Sequence, residues 1–157
     1  MKKISILTLL IAALFCLSSC LRYNLEELPA FSDADISGIN SVQYRYFSDV
    51  EKVPITGEQM VKYVTLDYSN TQIDANAATC TFDVAAPSNF PAERLSDLSL
   101  NKIVVIVQLS TAARCEPMDG STPFGVPGDW SKPNKYKITA ADGSSKVWTV
   151  SVSNFTK

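Results

Sequence analysis

The chain has 157 residues, of which 46% are hydrophobic and 19% are charged, and this composition excludes wholesale disorder. Its 14 lysines and arginines are outnumbered by 16 acidic residues, which excludes the strongly basic surface of a nucleic-acid-binding protein. The absence of histidine excludes Ser-His-Asp and Cys-His catalysis as well as histidine-ligated metal sites. We therefore expect one non-enzymatic domain that needs neither a metal nor a cofactor.

The amino terminus has the pattern of an export signal. Lys2 and Lys3 precede an apolar run over residues 4–17, which is too short to span a membrane. The run ends in Leu-Ser-Ser-Cys20, which resembles the bacterial lipobox, where the cysteine thiol is acylated and becomes the new amino terminus. We expect residues 1–19 to be a lipoprotein signal peptide and Cys20 to carry the lipid; the alternative is an apolar leader that contains cysteine by chance.

Residues 20–35 are expected to form a lipidated tether, because residues 21–35 have no clean period and contain Pro29. Several acyl chains hold a protein on a membrane almost irreversibly, since each buried methylene contributes ~0.8 kcal/mol. Glu26-Glu27 resembles the acidic signal that sends lipoproteins of Bacteroides-type bacteria to the outer face of the outer membrane, but it lies further from the cysteine. The sequence therefore leaves both faces of that membrane open.

From residue 36 onward, apolar and polar residues alternate, and this period of two favours strands. The fourth of these predicted strands is apolar on both faces, which predicts a central strand that is covered on both sides. Before it, residues 91–100 allow at most one short helical turn. The four predicted strands cover residues 38–48, 60–68, 79–84 and 103–107.

The end of the chain predicts a β-hairpin. Two alternating segments, residues 135–140 and 146–152, flank a turn in which Asp142-Gly143 supplies the positive φ that a tight turn needs. The side chains expected to face one common core are Tyr136, Ile138, Ala140, Trp148, Val150 and Val152.

Six or seven short strands without a long helix predict an all-β sandwich. The stretch from Leu98 to Val152, with its ending Tyr-Lys-Ile-Thr-Ala-Ala-Asp-Gly-Ser-Ser-Lys-Val-Trp-Thr-Val, resembles the closing half of immunoglobulin-like or cadherin-like domains in uncharacterised surface lipoproteins of Bacteroides-type bacteria. The resemblance covers the C-terminal half only. It implies an immunoglobulin-like β-sandwich of about seven strands over residues 36–157, and it transfers no catalytic residue.

Two cysteines remain for the mature domain, since Cys16 leaves with the signal and Cys20 takes the lipid. An exported compartment favours a disulfide between Cys80 and Cys115, and the loop that it closes would give roughly 3 to 4 kcal/mol of stability. The alternative is two separate reduced cysteines, with Cys80 in the core. A catalytic thiol is not expected, because no histidine is present to activate it.

The loop over residues 116–134 is rich in proline and glycine, and its length indicates either a function or a hidden short edge strand. We expect any ligand to contact Phe124 and Trp130, whose flat rings could grip a sugar. The polar partners expected beside them are Glu116, Asp119 and Asp129. The packing alternative is that Trp130 folds back as a plug over one end of the sandwich.

These features together predict a non-catalytic cell-envelope lipoprotein. It would be an interaction module, adhesive or an assembly partner, anchored in the outer membrane through its lipid and facing the periplasm or the surface. The alternative is a small glycan-binding lipoprotein of a polysaccharide-utilisation system, which rests on analogy between folds. The expected partners are the membrane, through the N-terminal lipid, and a protein or a glycan; no nucleic acid is expected.

Overall fold

The computed structural model describes residues 29–157, so the predicted signal peptide and Cys20 lie outside the described residues. The helical structure in this range consists of two 3-10 turns, Ala92–Arg94 and Leu100–Lys102. No helix in the described range is long and apolar enough to cross a membrane. The strands are β1 (Ile36–Lys52), β2 (Gln59–Asp74), β3 (Thr79–Ala85), β4 (Ile103–Leu109), β5 (Arg114–Met118), β6 (Asn134–Thr139) and β7 (Ser145–Thr156). The prediction of an all-β fold with about seven strands is confirmed.

All seven strands are hydrogen-bonded into one sheet, in the order β4-β1-β2-β3-β7-β6-β5. Neighbours run antiparallel, except that β3 and β7 run parallel. The long strand β2 changes partner halfway: it pairs with β1 up to Leu66 and with β3 from Asp67 onward. Side chains from the strands on both sides of this change meet in one buried cluster, so both parts of the sheet cover a single core.

In most of these strands alternate positions fill the core, as the period-two pattern predicts, whereas β4 buries the three consecutive residues Ile103, Val104 and Val105. Large side chains from both parts of the sheet belong to one buried cluster, and full burial of each contributes roughly 1.5–3 kcal/mol. The largest buried strand side chains are Ile36, Tyr44, Leu66, Phe82, Ile103, Tyr136, Ile138 and Trp148.

The predicted hairpin is confirmed as β6 and β7, with Tyr136 opposite Trp148 and Ile138 opposite Lys146. Gly143 has a φ of +90°, which suits glycine, and the Ala140 N–H donates to the carbonyl of Ser144 at 2.8 Å. Both predicted rows of core residues are buried, except that Val152 at the far end is half-buried.

Residues 31–35 belong to the folded domain rather than to the tether, which corrects the predicted boundary. The indole Nε1 of buried Trp148 donates to the carbonyl of Ala34 at 2.9 Å, and the Asp35 N–H donates to Ser110 Oγ at 3.0 Å. The Asp142 N–H donates to the carbonyl of Phe31 at 3.1 Å. Most of these bonds use the backbone of the segment, and for that reason its side-chain pattern did not reveal them.

The loop that follows β5 connects the two ends of the sheet. β4 and β5 are the edge strands, which corrects the prediction that residues 103–107 form a central strand. The outer edge of β4 is covered by the loop, because the Gly125 N–H donates to Val105 O at 2.9 Å and the Gly128 N–H to Ile103 O at 3.1 Å. A Cβ at Gly128 would lie 2.3 Å from Thr122 Cγ2. Glycine is therefore required where the loop crosses this edge.

Candidate ligand groove

Trp130 and Phe124, the two aromatic residues predicted to contact a ligand, pack against other side chains of the domain. Trp130 is 1% exposed, and its ring stacks at 5.9 Å from Phe124 and 6.4 Å from Tyr136. Phe124 is half-buried and stacks on Tyr136 with ring centroids 3.9 Å apart. Trp130 is thus folded back into the domain, as the alternative prediction had it, and presents no ring face to a ligand.

The three predicted polar partners have local roles in the structure. Asp129 Oδ1 accepts hydrogen bonds from the hydroxyl of Ser131 at 2.6 Å and from its N–H at 2.9 Å, and these bonds hold the pKa of the Asp129 carboxyl below its ordinary value. Asp119 lies 3.8 Å from Lys135 Nζ. Glu116 is an exposed residue of β5. The loop does hide the short edge strand that its length indicated, and this strand begins at Arg114.

The predicted disulfide is absent, because Cys80 and Cys115 are both free thiols. Cys80 lies on β3 and Cys115 on β5, with β7 and β6 between them in the sheet. Three strand spacings of about 4.8 Å separate these strands along the sheet, whereas a disulfide needs Cα atoms within about 7 Å. The alternative of two separate reduced cysteines, with Cys80 in the core, is the arrangement found.

A groove of about 480 Å³ lies where β1 extends past its neighbour β4. Pairing between the two strands ends at Tyr44 and Ile103, while β1 continues to Lys52 with β2 as its strand partner. We call this the distal groove, because it lies at the end of β1 away from Ile36. Its lining residues are Arg45, Tyr46, Phe47, Asp49, Gln59, Arg94, Asp97, Lys102 and Pro127.

Arg45 is held in place on the outer side of the groove by neutral acceptors. Its Nη1 donates to the carbonyl of Gly125 at 3.0 Å, and its Nε and Nη2 donate to Gln43 Oε1 at 3.2 and 3.1 Å. The ion pairs formed within residues 29–157 do not include Arg45. The guanidinium therefore keeps a positive charge without a carboxylate partner in the described part of the chain.

Arg94 closes the inner side of the groove. Its guanidinium carbon lies 5.0 Å from the ring centroid of Tyr46, in a cation–π arrangement, and its Nη2 forms an ion pair with Asp49. The ring of Tyr46 stacks in turn on that of Tyr44 at 5.8 Å. This side of the groove therefore contacts the core, because Tyr44 belongs to the buried cluster.

Asp97 joins the groove to the buried tyrosine of β1. Its carboxylate pairs with Lys102 and accepts a hydrogen bond from the hydroxyl of Tyr44 at 2.5 Å. The bonds from Lys102 and then Tyr44 lower the pKa of Asp97 from its ordinary value. Burial, with the nearby carboxylate, raises the pKa of Tyr44 to about 12. At neutral pH Asp97 is therefore an anion and Tyr44 a neutral hydrogen-bond donor.

The outer face of β1 and β2 beside the groove is apolar and exposed. Phe47 is 61% exposed and lies opposite Val61, while Tyr63, opposite Arg45, is 62% exposed. The distal groove therefore offers a flat hydrophobic ring, fixed charges of both signs and hydrogen-bond donors within one site.

The sequence did not predict this groove, because its residues come from β1, β2, the two 3-10 turns with the segment between them, and the loop after β5. One signal was present. The alternation along β1 places Arg45 and Phe47 on the face opposite the core, where a large aromatic residue has no packing role.

Comparisons with known proteins give one family and one solved structure. A model of the DUF5018-related family matches residues 36–151. The crystal structure of a protein from Bacteroides fragilis NCTC 9343, inferred to be secreted, shares 40% identity over 82% of this chain and 100% of that chain, with a TM-score of 0.69. A comparison with curated proteins found no match. Neither of the two matches names an immunoglobulin-like or cadherin-like domain, so that resemblance stays a prediction.

Proposed function

Because the chain belongs to the DUF5018-related family and is similar to a Bacteroides protein inferred to be secreted, we propose that it is a non-catalytic lipoprotein of the cell envelope. In this proposal Cys20 carries the lipid and anchors the protein in the outer membrane. The β domain then acts as an interaction module, adhesive or an assembly partner.

The observation that carries this proposal is the placement of the distal groove relative to the entry of the chain. The segment that follows the predicted lipid site enters the domain over residues 31–36, at the start of β1. The stretch of β1 from Ile36 to Arg45 corresponds to about 30 Å at roughly 3.3 Å per residue. A domain held at Cys20 can therefore present the groove on the side away from the lipid.

The anchor is tested by replacing the predicted lipid site. We expect Cys20→Ala to move the protein from the membrane fraction to the soluble fraction and to abolish labelling by a fatty-acid analogue, because the acyl chains supply the membrane affinity. Cys16→Ala is the matched control and should leave both measurements unchanged. Unchanged membrane partition and labelling of Cys20→Ala would contradict the proposal.

A second candidate function, a small glycan-binding lipoprotein, is favoured by the chemistry of the distal groove. Proteins bind sugar rings by stacking a flat aromatic side chain on the ring and by hydrogen bonds from charged or amide side chains to the hydroxyls of the sugar. Phe47 supplies the face, and Gln59 and Asp97 are polar groups within the same cavity. A volume of about 480 Å³ lies within the range of small-molecule sites.

A glycan array with the chain that begins at Leu21 tests this candidate. We expect binding that falls at least about tenfold in Phe47→Ala, which corresponds to ~1.4 kcal/mol of lost contact with the ring. Val147→Ala is the matched control, because Val147 is 50% exposed on β7 and does not line the groove. Binding that is equal in Phe47→Ala and the parent chain would remove Phe47 from the site.

A further inference from the structure

We propose that the distal groove binds an acidic sugar, whose carboxylate or sulfate group is held by Arg45. This inference rests on the glycan-binding candidate and names its ligand class. It follows from the charges in the groove, the hydrogen bonds of one guanidinium and the exposed ring beside it.

The charges of the groove do not cancel. Arg94 and Lys102 are paired with Asp49 and Asp97, so these four side chains neutralise one another. Arg45 has no such partner among the described residues, which leaves the groove with one net positive charge in a chain whose formal net charge is −2. An anion that enters the groove meets a local field opposite to the charge of the whole chain.

Arg45 is also oriented before any ligand arrives. A guanidinium has five N–H donors, and the bonds to Gln43 and Gly125 use three N–H groups of Arg45. Two N–H groups remain, on a side chain whose position is already fixed at both ends. Little side-chain entropy is lost when such a group binds an anion, and both a carboxylate and a sulfate can present two oxygens to the two remaining N–H donors.

The rest of the groove fits a ring that carries one acid group and several hydroxyls. Phe47 can take the apolar face of a sugar ring, and the carboxylates of Asp49 and Asp97 can accept hydrogen bonds from its hydroxyls. The same two carboxylates would repel additional negative charges. The groove therefore favours a sugar with a single acid group over an acidic peptide or another polyanion.

Titration calorimetry on the chain that begins at Leu21 tests the inference with four probes. They are a galactose oligomer that carries a single galacturonate residue, the neutral galactose oligomer of equal length, a singly sulfated oligomer of that sugar, and a glutamate-rich peptide. We expect the two acidic oligomers to bind at least about tenfold more tightly than the neutral one, because the charge-assisted bonds to Arg45 are added to the same ring contacts. The preference for acidic over neutral oligomers should be smaller in a buffer with about 500 mM salt than in one with about 50 mM, because salt screens the charge of Arg45.

Substitutions assign the preference to Arg45. Arg45→Gln should reduce the affinity for the acidic oligomers to that for the neutral one, while Arg45→Lys should keep part of the preference. Arg114→Gln, an exposed arginine on β5, is the matched control and should change nothing. Because Arg45 also bonds to the loop, the melting temperature of each variant is measured first, and Arg45→Lys carries the test if Arg45→Gln is unstable.

The outcomes distinguish a failure of the acidic-sugar inference from a failure of the glycan-binding function on which it rests. Equal binding of acidic and neutral oligomers, or a preference that survives in Arg45→Gln, overturns the acidic-sugar inference and leaves glycan binding intact. No binding of any oligomer overturns both. Tighter binding of the peptide than of the sugars overturns the sugar assignment and indicates a protein partner. None of these results bears on the lipid at Cys20, which the fractionation experiment tests separately.

Discussion

At the scale of the residue, burial determines the chemistry of the two cysteines of the domain. Cys80 is fully buried and Cys115 is half-buried, and burial raises the pKa of each thiol to about 11. The carboxylate of Glu116 adds to the shift at Cys115. The thiolate is the reactive form of cysteine, so at neutral pH both groups are held in the unreactive state.

The first prediction at this scale concerns these thiols. In the folded chain that begins at Leu21, we expect iodoacetamide at pH 8 to leave Cys80 unlabelled and to label Cys115 slowly, since that pH lies about three units below both pKa values. After unfolding without a reductant, both cysteines should be labelled completely, and mass spectrometry reads the result. A pair that resists alkylation until a reductant is added would show the disulfide that the strand order excludes.

The two tryptophans show how far a sequence pattern identifies a buried residue. Trp148 lies in an alternating strand beside a recognisable turn, so its inward face could be predicted, and it is 0% exposed. Trp130 lies among prolines and glycines, where no period states which way a side chain points. The backbone N–H of Trp130 donates to the carbonyl of Leu100 at 2.9 Å, a contact between distant segments that local sequence does not encode.

At the scale of the element, the β6–β7 hairpin should contribute to stability mainly through the core face of Trp148. We expect Trp148→Ala to reduce the free energy of unfolding by ~3–5 kcal/mol, because it removes a buried ring and leaves a cavity. Urea denaturation followed by circular dichroism measures the loss. The adjacent Val147 points outward and is 50% exposed, so Val147→Ala should cost less than about 0.5 kcal/mol. Comparable losses in the two variants would mean that the hairpin register is wrong.

Strands and the hairpin were predictable because their signals are local: alternation, β-branched residues and an Asp-Gly turn lie within a few positions of one another. The distal groove was not, because it exists only where β1 extends past the end of β4. Where that pairing ends is decided by strand register, and register depends on which segments meet in the sheet. The Arg45 side chain reaches its acceptor at Gly125 across this long-range arrangement.

At the scale of the whole molecule, the folded domain begins before its first strand. Residues 31–35 bond to three separate parts of the chain: the turn at Asp142, Ser110 after β4, and Trp148 on β7. Ala34 is 2% exposed and belongs to the core cluster. The contacts of the domain therefore include residues 31–35, which the sequence predicted as part of the tether.

This boundary predicts the effect of shortening the chain from its amino terminus. A chain that begins at Pro29 keeps the contacts described for residues 31–35, and a chain that begins at Leu21 is measured beside it. A chain that begins at Ile36 should lose roughly 2–4 kcal/mol, since the buried indole N–H of Trp148 is left without its acceptor and the side chain of Ala34 is removed. Urea denaturation of the three chains at one protein concentration measures both differences. If the chain that begins at Ile36 is as stable as the other two, residues 31–35 rest on the surface as a tether and the distal groove is held further from the membrane.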